Sequence, residues 1–223
     1  QGVWIFHAEG FRQYAASVPQ FIEWIEDPSN GINTESLRIF GGHYWQRIGL
    51  PEMKEEELGI TYLYDMKQLI ENIKTLVPDL EKLGLKLGIE VHGPNYGTGE
   101  ACARLVDGVG AFPTVGVNFD TANVVYWGEG DPDADIKTCP KKINYCHLKD
   151  KIGVGEKCKE WNFPAIGAGE LHLLDMIKYM NENGYEGPLS IELEYTEGFT
   201  MRDKVEGDLE FAYKTLKDSY DYL

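Results

Sequence analysis

Short runs of apolar and β-branched residues alternate along this chain with longer segments in which apolar side chains return every three or four positions. The runs fall at residues 3–6, 37–41, 86–92, 114–120, 143–149 and 189–195, each of a length that suits a strand. Between them, Val18, Phe21, Ile22 and Ile25 recur at helical spacing, and so do Leu69, Ile73, Leu76 and Leu80. The same spacing returns in Leu173, Ile177 and Met180, and again in Val205, Leu209, Ala212 and Leu216. Strand followed by helix, repeated, predicts parallel strands joined by crossover helices. Several runs are apolar almost throughout, as in strands covered on both faces. Helix breakers fall in the gaps: Gly84 before Leu85, Pro113 before Thr114, and Gly184 with Gly187-Pro188 before the last run. Residues 128–141 and 151–169 are long connections, rich in Gly and charge, that follow strands and so belong on one common face. A closed (β/α)₈ barrel takes eight strands. Six runs leave two readings, an α/β barrel short of two units or an open sheet.

Composition narrows the function more than the fold. With 223 residues, 43% of them hydrophobic, the chain can bury one substantial core, and a single domain over 1–223 is expected. No apolar run approaches the roughly 20 residues that span a bilayer, so no membrane segment is expected. The first residues lack both the basic start of a signal peptide and an initiating Met. The net charge of −16, from 21 basic and 37 acidic residues, argues against nucleic-acid binding, which draws its affinity from Lys and Arg on phosphates. Cys102, Cys139, Cys146 and Cys158 show no CxxC spacing. Reduced thiols and a cytoplasmic location are the expectation.

Four of the runs end in a group able to bind a cation: Glu90, Asp120, His147 and Glu192. Alternate residues on a strand share a face, which puts Glu90 with His92, Asp120 with Asn118, His147 with Tyr145, and Glu192 with Glu194. In a parallel barrel the C-terminal strand ends carry the chemistry, contributed by several strands. A lone acid there is more often a helix cap or an ion-pair partner, and a lone buried His more often hydrogen-bonded than metal-bound. Recurrence on four consecutive strands reverses that weighting. Three carboxylates and an imidazole brought together would repel unless neutralised, and a divalent cation is the simplest remedy. Oxygen-rich ligation favours Mn²⁺, Mg²⁺ or Co²⁺ over a thiolate-type zinc site.

The motifs Gly-Ile-Glu-Val-His at 88–92, Val-Asn-Phe-Asp-Thr-Ala-Asn-Val at 117–124, His-Leu-Lys-Asp at 147–150, Ile-Gly-Ala-Gly-Glu-Leu at 166–171 and Gly-Pro-Leu-Ser-Ile-Glu-Leu-Glu at 187–194 resemble the xylose isomerase-like TIM-barrel superfamily. That superfamily holds sugar phosphate isomerases and epimerases, inosose dehydratases and AP endonuclease family 2 relatives. The resemblance runs from about Ser36 to the C-terminus and implies that Glu90, Asp120, His147 and Glu192 are the ligands of a single metal, Mn²⁺ first, with Mg²⁺, Co²⁺ or Zn²⁺ as alternatives. It implies a TIM (β/α) barrel in which residues 3–6 are the third strand and 37–41 the fourth, so that this chain lacks the first two βα units. Two positions depart from the ketose 3-epimerase pattern: Asn123 stands where those enzymes carry His, and Lys149-Asp150-Lys151 where they carry an Arg. Endonuclease IV relatives fit worse, since five scattered histidines do not supply a three-metal cluster.

The mechanism the resemblance implies is proton transfer through a metal-stabilised enediolate, with Glu90 and Glu192 as the acid/base pair. His92, Asn123, Lys149 and Trp127 are the candidate substrate contacts. Each has a plainer alternative: Lys149 pairing with Asp150 or a neighbouring acid, Asn123 capping the next turn, and Trp127, Tyr96 and Trp161 packing rather than stacking on a sugar. Arg38 either offsets the acidic pocket or points away from it. Three functions follow: a metal-dependent isomerase or epimerase of a small sugar, a lyase or dehydratase acting on a keto-cyclitol or keto-glycoside, or a non-catalytic sugar-binding or subunit role. The partner is a small sugar or cyclitol, and a homo-oligomer that covers open strand edges is a further possibility.

Overall fold

A computed structural model describes residues 66–193 and 205–223, together with the backbone of two strands at 2–4 and 36–40. All six sequence-predicted strands are present: β1 (Gly2–Trp4), β2 (Ser36–Phe40), β3 (Lys86–Glu90), β4 (Val115–Asp120), β5 (Ile143–Leu148) and β6 (Leu189–Ile191). They form one sheet in the order β1-β2-β3-β4-β5-β6, every pair parallel. An open doubly wound sheet reverses its strand order at a switch point. Strand order that follows chain order without reversal is instead the arrangement of a β/α barrel, and it decides between the two readings above.

The helices are α1 (Met66–Lys74), α2 (Val77–Leu83), α3 (Gly93–Tyr96), α4 (Gly99–Val109), α5 (Asn123–Tyr126), α6 (Pro132–Asp135), α7 (Leu173–Glu182) and α8 (Val205–Tyr222). The repeat Leu69, Ile73, Leu76, Leu80 spans two helices rather than one. Pro78, in the first turn of α2, has no N–H to continue a helix from α1, and Thr75 closes α1 by donating from Oγ1 to Asn72 O at 2.6 Å. Helix α4 has no counterpart in the periodicity described above, because small residues (Gly99, Ala101, Cys102, Ala103, Gly108) dilute the apolar signal. Its start is nonetheless written locally: Thr98 Oγ1 accepts from Ala101 N at 3.2 Å, a side-chain N-cap. The helical repeat at 18–25 lies outside the described residues. Long connection 128–141 contains α6 and one tighter turn, Ile136–Thr138; connection 151–169 contains the turn Gly155–Lys157.

One face of the sheet is apolar and covered by helices. Leu87, Ile89, Val117, Phe119, Cys146 and Leu148 are fully buried there with Leu69, Ile73, Leu80, Leu105 and Met176 of the surrounding helices. The alternate positions, Glu90, Asn118, Asp120 and His147, are buried too, but they are polar and gather on the other side. All four cysteines are free and buried. Among the described residues no helix is long and apolar enough to cross a membrane.

Candidate metal centre

His147 reaches the polar side only because the pairing of β4 with β5 shifts. Val117 pairs with Ile143, whereas Asn118 pairs with Tyr145 and Asp120 with His147, so Asn144 is skipped. Had the first register continued, Cys146 would stand beside Asp120 and the imidazole would turn into the apolar layer, since a one-residue slip exchanges the two faces of a strand. The skipped Asn144 is anchored by its own amide, which donates from Nδ2 to Leu87 O at 3.1 Å and Pro113 O at 3.0 Å.

The four residues named from sequence converge. One ligand atom from each of Glu90, Asp120, His147 and Glu192 lies within 4.8 Å of all the others. His147 Nδ1 stands 3.4 Å from Glu90 Oε1, 3.7 Å from Asp120 Oδ2 and 3.5 Å from Glu192 Oε2. Glu90 comes from the last residue of β3, Asp120 from the last of β4, and His147 from β5; Glu192 follows β6 directly and donates its backbone N–H to Leu148 O at 2.9 Å. The two oxygens of Asp120 have separate duties. Oδ1 accepts from the N–H groups of Ala122 and Asn123 at 3.1 and 2.9 Å, which fixes the carboxylate. Oδ2 is thereby aimed at the cluster, buried, with His147 Nδ1 3.7 Å and Lys149 Nζ 3.1 Å away. A buried carboxylate oxygen that takes no backbone N–H and faces an imidazole nitrogen and two further carboxylates suits a cation ligand. The residues fit a divalent cation.

Lys149 sits within the cluster. It is 3% exposed, with Nζ 2.7 Å from Glu192 Oε2 and 3.1 Å from Asp120 Oδ2, and it lies over the Phe163 ring. Of the alternatives for this residue, the pairing with a neighbouring acid is the one present, and the acids are two of the candidate ligands. Asp150 takes no part in it.

Charge inside the cluster follows from these contacts. Burial lowers the pKa of His147, but the carboxylates of Asp120, Glu192 and Glu90 outweigh it and lift the imidazolium to about 11. Burial raises the Glu192 carboxyl, but His147 and the Lys149 ammonium hold it well below the ordinary carboxylate range. In the chain alone the imidazolium is therefore stabilising. That contribution is complete below the unfolded-state value of about 6.5 and is lost as pH rises through about 11. A cation on Nδ1 must displace this proton. Mn²⁺ affinity is thus expected to rise about tenfold per pH unit between about pH 6 and 8, one proton leaving per ion bound. Titration calorimetry in buffers of different protonation enthalpy checks this, and a flat profile would show that His147 is not a ligand.

The remaining sequence candidates divide. His92 and Trp127 are brought together, their ring centroids 5.1 Å apart. Trp127 continues through Tyr126 (4.9 Å) to Trp161 (5.2 Å from Tyr126), a chain of rings in the loops after β4 and β5. Asn123 is 3% exposed; its backbone N–H caps onto Asp120, while its side-chain Nδ2 is buried without an acceptor. Tyr96 is buried in the core, so packing wins over a stacking platform there. The side chains of Arg38 and Glu194 lie outside the described residues. Two structural residues escaped the sequence. Thr121 Oγ1 donates to Lys149 O at 2.6 Å and accepts from Lys149 N at 3.0 Å, tying the ends of β4 and β5 together. Asp150 is 0% exposed and gathers the backbone of residues 167–171. Its signal was the pairing of His-Leu-Lys-Asp with Ile-Gly-Ala-Gly-Glu-Leu, two motifs of one substructure.

Parallel strands in chain order, with three carboxylates and an imidazole at their C-terminal ends, define a β/α barrel with a candidate metal centre at its rim. Residues 31–215 match the family described as xylose isomerase-like TIM barrel, and the chain belongs to that family. Among curated proteins it is 27% identical over 179 residues to an inosose dehydratase of Clostridium perfringens, a match covering 70% of this chain and 58% of that protein's length. Among solved structures it resembles the IOLI protein, solved with a zinc atom, at 19% identity and a TM-score of 0.65, covering 100% of this chain and 76% of that one. It also resembles a D-psicose 3-epimerase of Clostridium cellulolyticum H10, solved with D-tagatose, at 15% identity and a TM-score of 0.64, covering 96% and 71%. Both likenesses establish the fold.

Proposed function

We propose that this chain is a divalent-metal-dependent sugar isomerase or epimerase, moving a proton at a carbon beside a carbonyl. The observation that carries the reading is the placement of Glu90 and Glu192 about one imidazole, 3.4 and 3.5 Å from His147 Nδ1, with Asp120 locked by its backbone contacts. Glu90, Asp120, His147 and Glu192 would hold the cation, and three carboxylates with one imidazole suit Mn²⁺ first, then Mg²⁺, Co²⁺ or Zn²⁺. Bound there, it would supply Lewis acidity to a substrate carbonyl and the hydroxyl beside it.

The protein groups have distinct parts. Asp120 is not the base in this scheme, since Oδ1 is occupied by two N–H groups and Oδ2 would hold the cation. The Glu192 side chain is 24% exposed and the Glu90 side chain 1%, so Glu192 is the carboxylate open to an incoming sugar. It takes the proton from carbon, and Glu90 acts on the other side of the enediolate left on the substrate. Lys149, 2.7 Å from Glu192, keeps that base ionised. The unpartnered Nδ2 of Asn123 gains an acceptor when a substrate hydroxyl arrives. The Trp127 ring, tilted 40° against His92, would offer its apolar face to the C–H groups of a sugar ring.

A second reading, dehydration of a keto-cyclitol or keto-glycoside, draws on the relative named inosose dehydratase and on Lys149, whose ammonium beside Glu192 would assist a departing hydroxyl. A non-catalytic sugar-binding role is the third. One experiment separates them: the protein with Mn²⁺ is incubated in D₂O with a panel of ketoses, inososes and 3-keto-glycosides. Deuterium at carbon in a saturated product supports the isomerase or epimerase, and an unsaturated product supports the lyase. Saturable binding without either change leaves the binding role and overturns both enzymatic readings.

A further inference from the structure

The Nε2 edge of the His147 ring, across from the Nδ1 that faces the carboxylates, meets a side-chain amide. Asn118 is 0% exposed, and its Nδ2 lies 3.3 Å from His147 Nε2. Its Oδ1 is buried with no hydrogen-bond partner. The amide is seated against bare backbone: a Cβ on Gly88 of β3 would stand 2.9 Å from Asn118 Cβ and 3.4 Å from Tyr145 Cβ. Tyr145 itself meets the His147 ring edge-on, with centroids 5.5 Å apart. Asn118 and Tyr145 are register partners on β4 and β5, so both supports of the ring arise from the same shifted pairing that turns His147 inward.

With Nδ1 committed to a cation, Nε2 carries the ring's only proton and must donate it. An amide nitrogen cannot accept that proton, whereas the amide oxygen can. The two ends of an amide are nearly alike in size, so a half-turn about Cβ–Cγ brings Oδ1 to Nε2 within the same space. We propose that Asn118 is the positioning residue of the metal centre: its Oδ1 accepts from His147 Nε2–H, fixes the tautomer with Nδ1 free for the ion, and holds the ring plane. The inference rests on the metal-centre reading of the four ligands. It assigns to Asn118 no contact with substrate.

The test compares wild type, Asn118→Leu and Asn118→Asp by Mn²⁺ titration, with thermal melts to establish that each variant folds. The Leu variant removes the acceptor and is expected to bind Mn²⁺ about 10- to 100-fold more weakly. The Asp variant restores an acceptor and is expected to recover wild-type affinity or exceed it. ¹⁵N NMR of the Zn²⁺-loaded proteins reads the tautomer directly: a slowly exchanging Nε2–H on His147 in wild type and the Asp variant, absent in the Leu variant. A Leu variant that binds Mn²⁺ as tightly as wild type overturns the proposal, and so does equal weakening in both variants. Wild type that binds no cation overturns the metal-centre reading itself, an outcome separable from the other two.

Discussion

Asp150→Ala is expected to cost about 3–5 kcal/mol of folding stability, because four backbone N–H groups lose one acceptor together and each buried unsatisfied donor costs about 1–3 kcal/mol. Both carboxylate oxygens are fully engaged: Oδ1 accepts from Lys151 N at 2.8 Å and Leu171 N at 3.3 Å, and Oδ2 from Gly167 N and Gly169 N at 2.9 Å each. Removing the group leaves four N–H donors to find other acceptors in a region where Asp150 itself is wholly buried. Gly169 records how close the approach is, since a Cβ there would stand 2.2 Å from Asp150 Oδ1. Asn is no remedy at this position, because its NH₂ end would face backbone donors. Both variants should lower the melting temperature by on the order of 10 °C in a chain of this size. A change below about 1 kcal/mol in a denaturant titration would mean that the loop before α7 is held by something else.

Glu192→Gln is expected to lower turnover by about a thousandfold at saturating Mn²⁺, within the range that positioned acid–base groups contribute. Gln keeps a carbonyl oxygen where the ligand was but can neither take a proton from carbon nor pair as an anion with Lys149, now 2.7 Å away. Saturating the metal separates the two roles of Glu192, because weaker binding of the ion is then compensated and the proton step is not. The measurement is exchange of solvent deuterium into the substrate found by the ketose and inosose panel. Turnover within tenfold of wild type would remove Glu192 from the acid/base pair.

The candidate ligands were legible because they obey a local rule. Each stands within one residue of the C-terminal end of its strand, and parallel strands bring such ends to one rim whatever the rest of the chain does. The strand order was legible for a related reason, as strand–helix alternation leaves few topologies open. What stayed hidden depends on contacts across strands. Nothing in the run 143–149 marks Asn144 as the residue the register skips, yet that skip decides which face His147 occupies. Lys149 could not be assigned between substrate and acid, because its partners Asp120 and Glu192 are distant in sequence and adjacent only across the rim. Helix α4 was hidden for a different reason: its buried positions include Gly99, Ala101, Cys102 and Ala103, which carry little hydrophobic signal, and a Cβ on Gly108 would stand 2.2 Å from Ile70 of α1. Tyr96 had both readings open in the sequence, stacking or packing, and its burial selects packing.

Glu90, Asp120, His147 and Glu192 are proposed to bind a divalent cation together, and the roles given to Asn118 and Lys149 depend on it. Protein stripped with a chelator and titrated with Mn²⁺ tests it most directly, with Asp120→Asn as the comparison. Oδ2 of Asp120 faces the cluster and Oδ1 is spent on the backbone, so the Asn variant loses the ligand charge with little change of shape. The expected result is one Mn²⁺ per chain in wild type, bound about a hundredfold or more tightly than in Asp120→Asn, as removal of one partner from a buried charged cluster implies. Wild type that shows no saturable Mn²⁺ binding, or an Asn variant that binds it equally well, would contradict the claim.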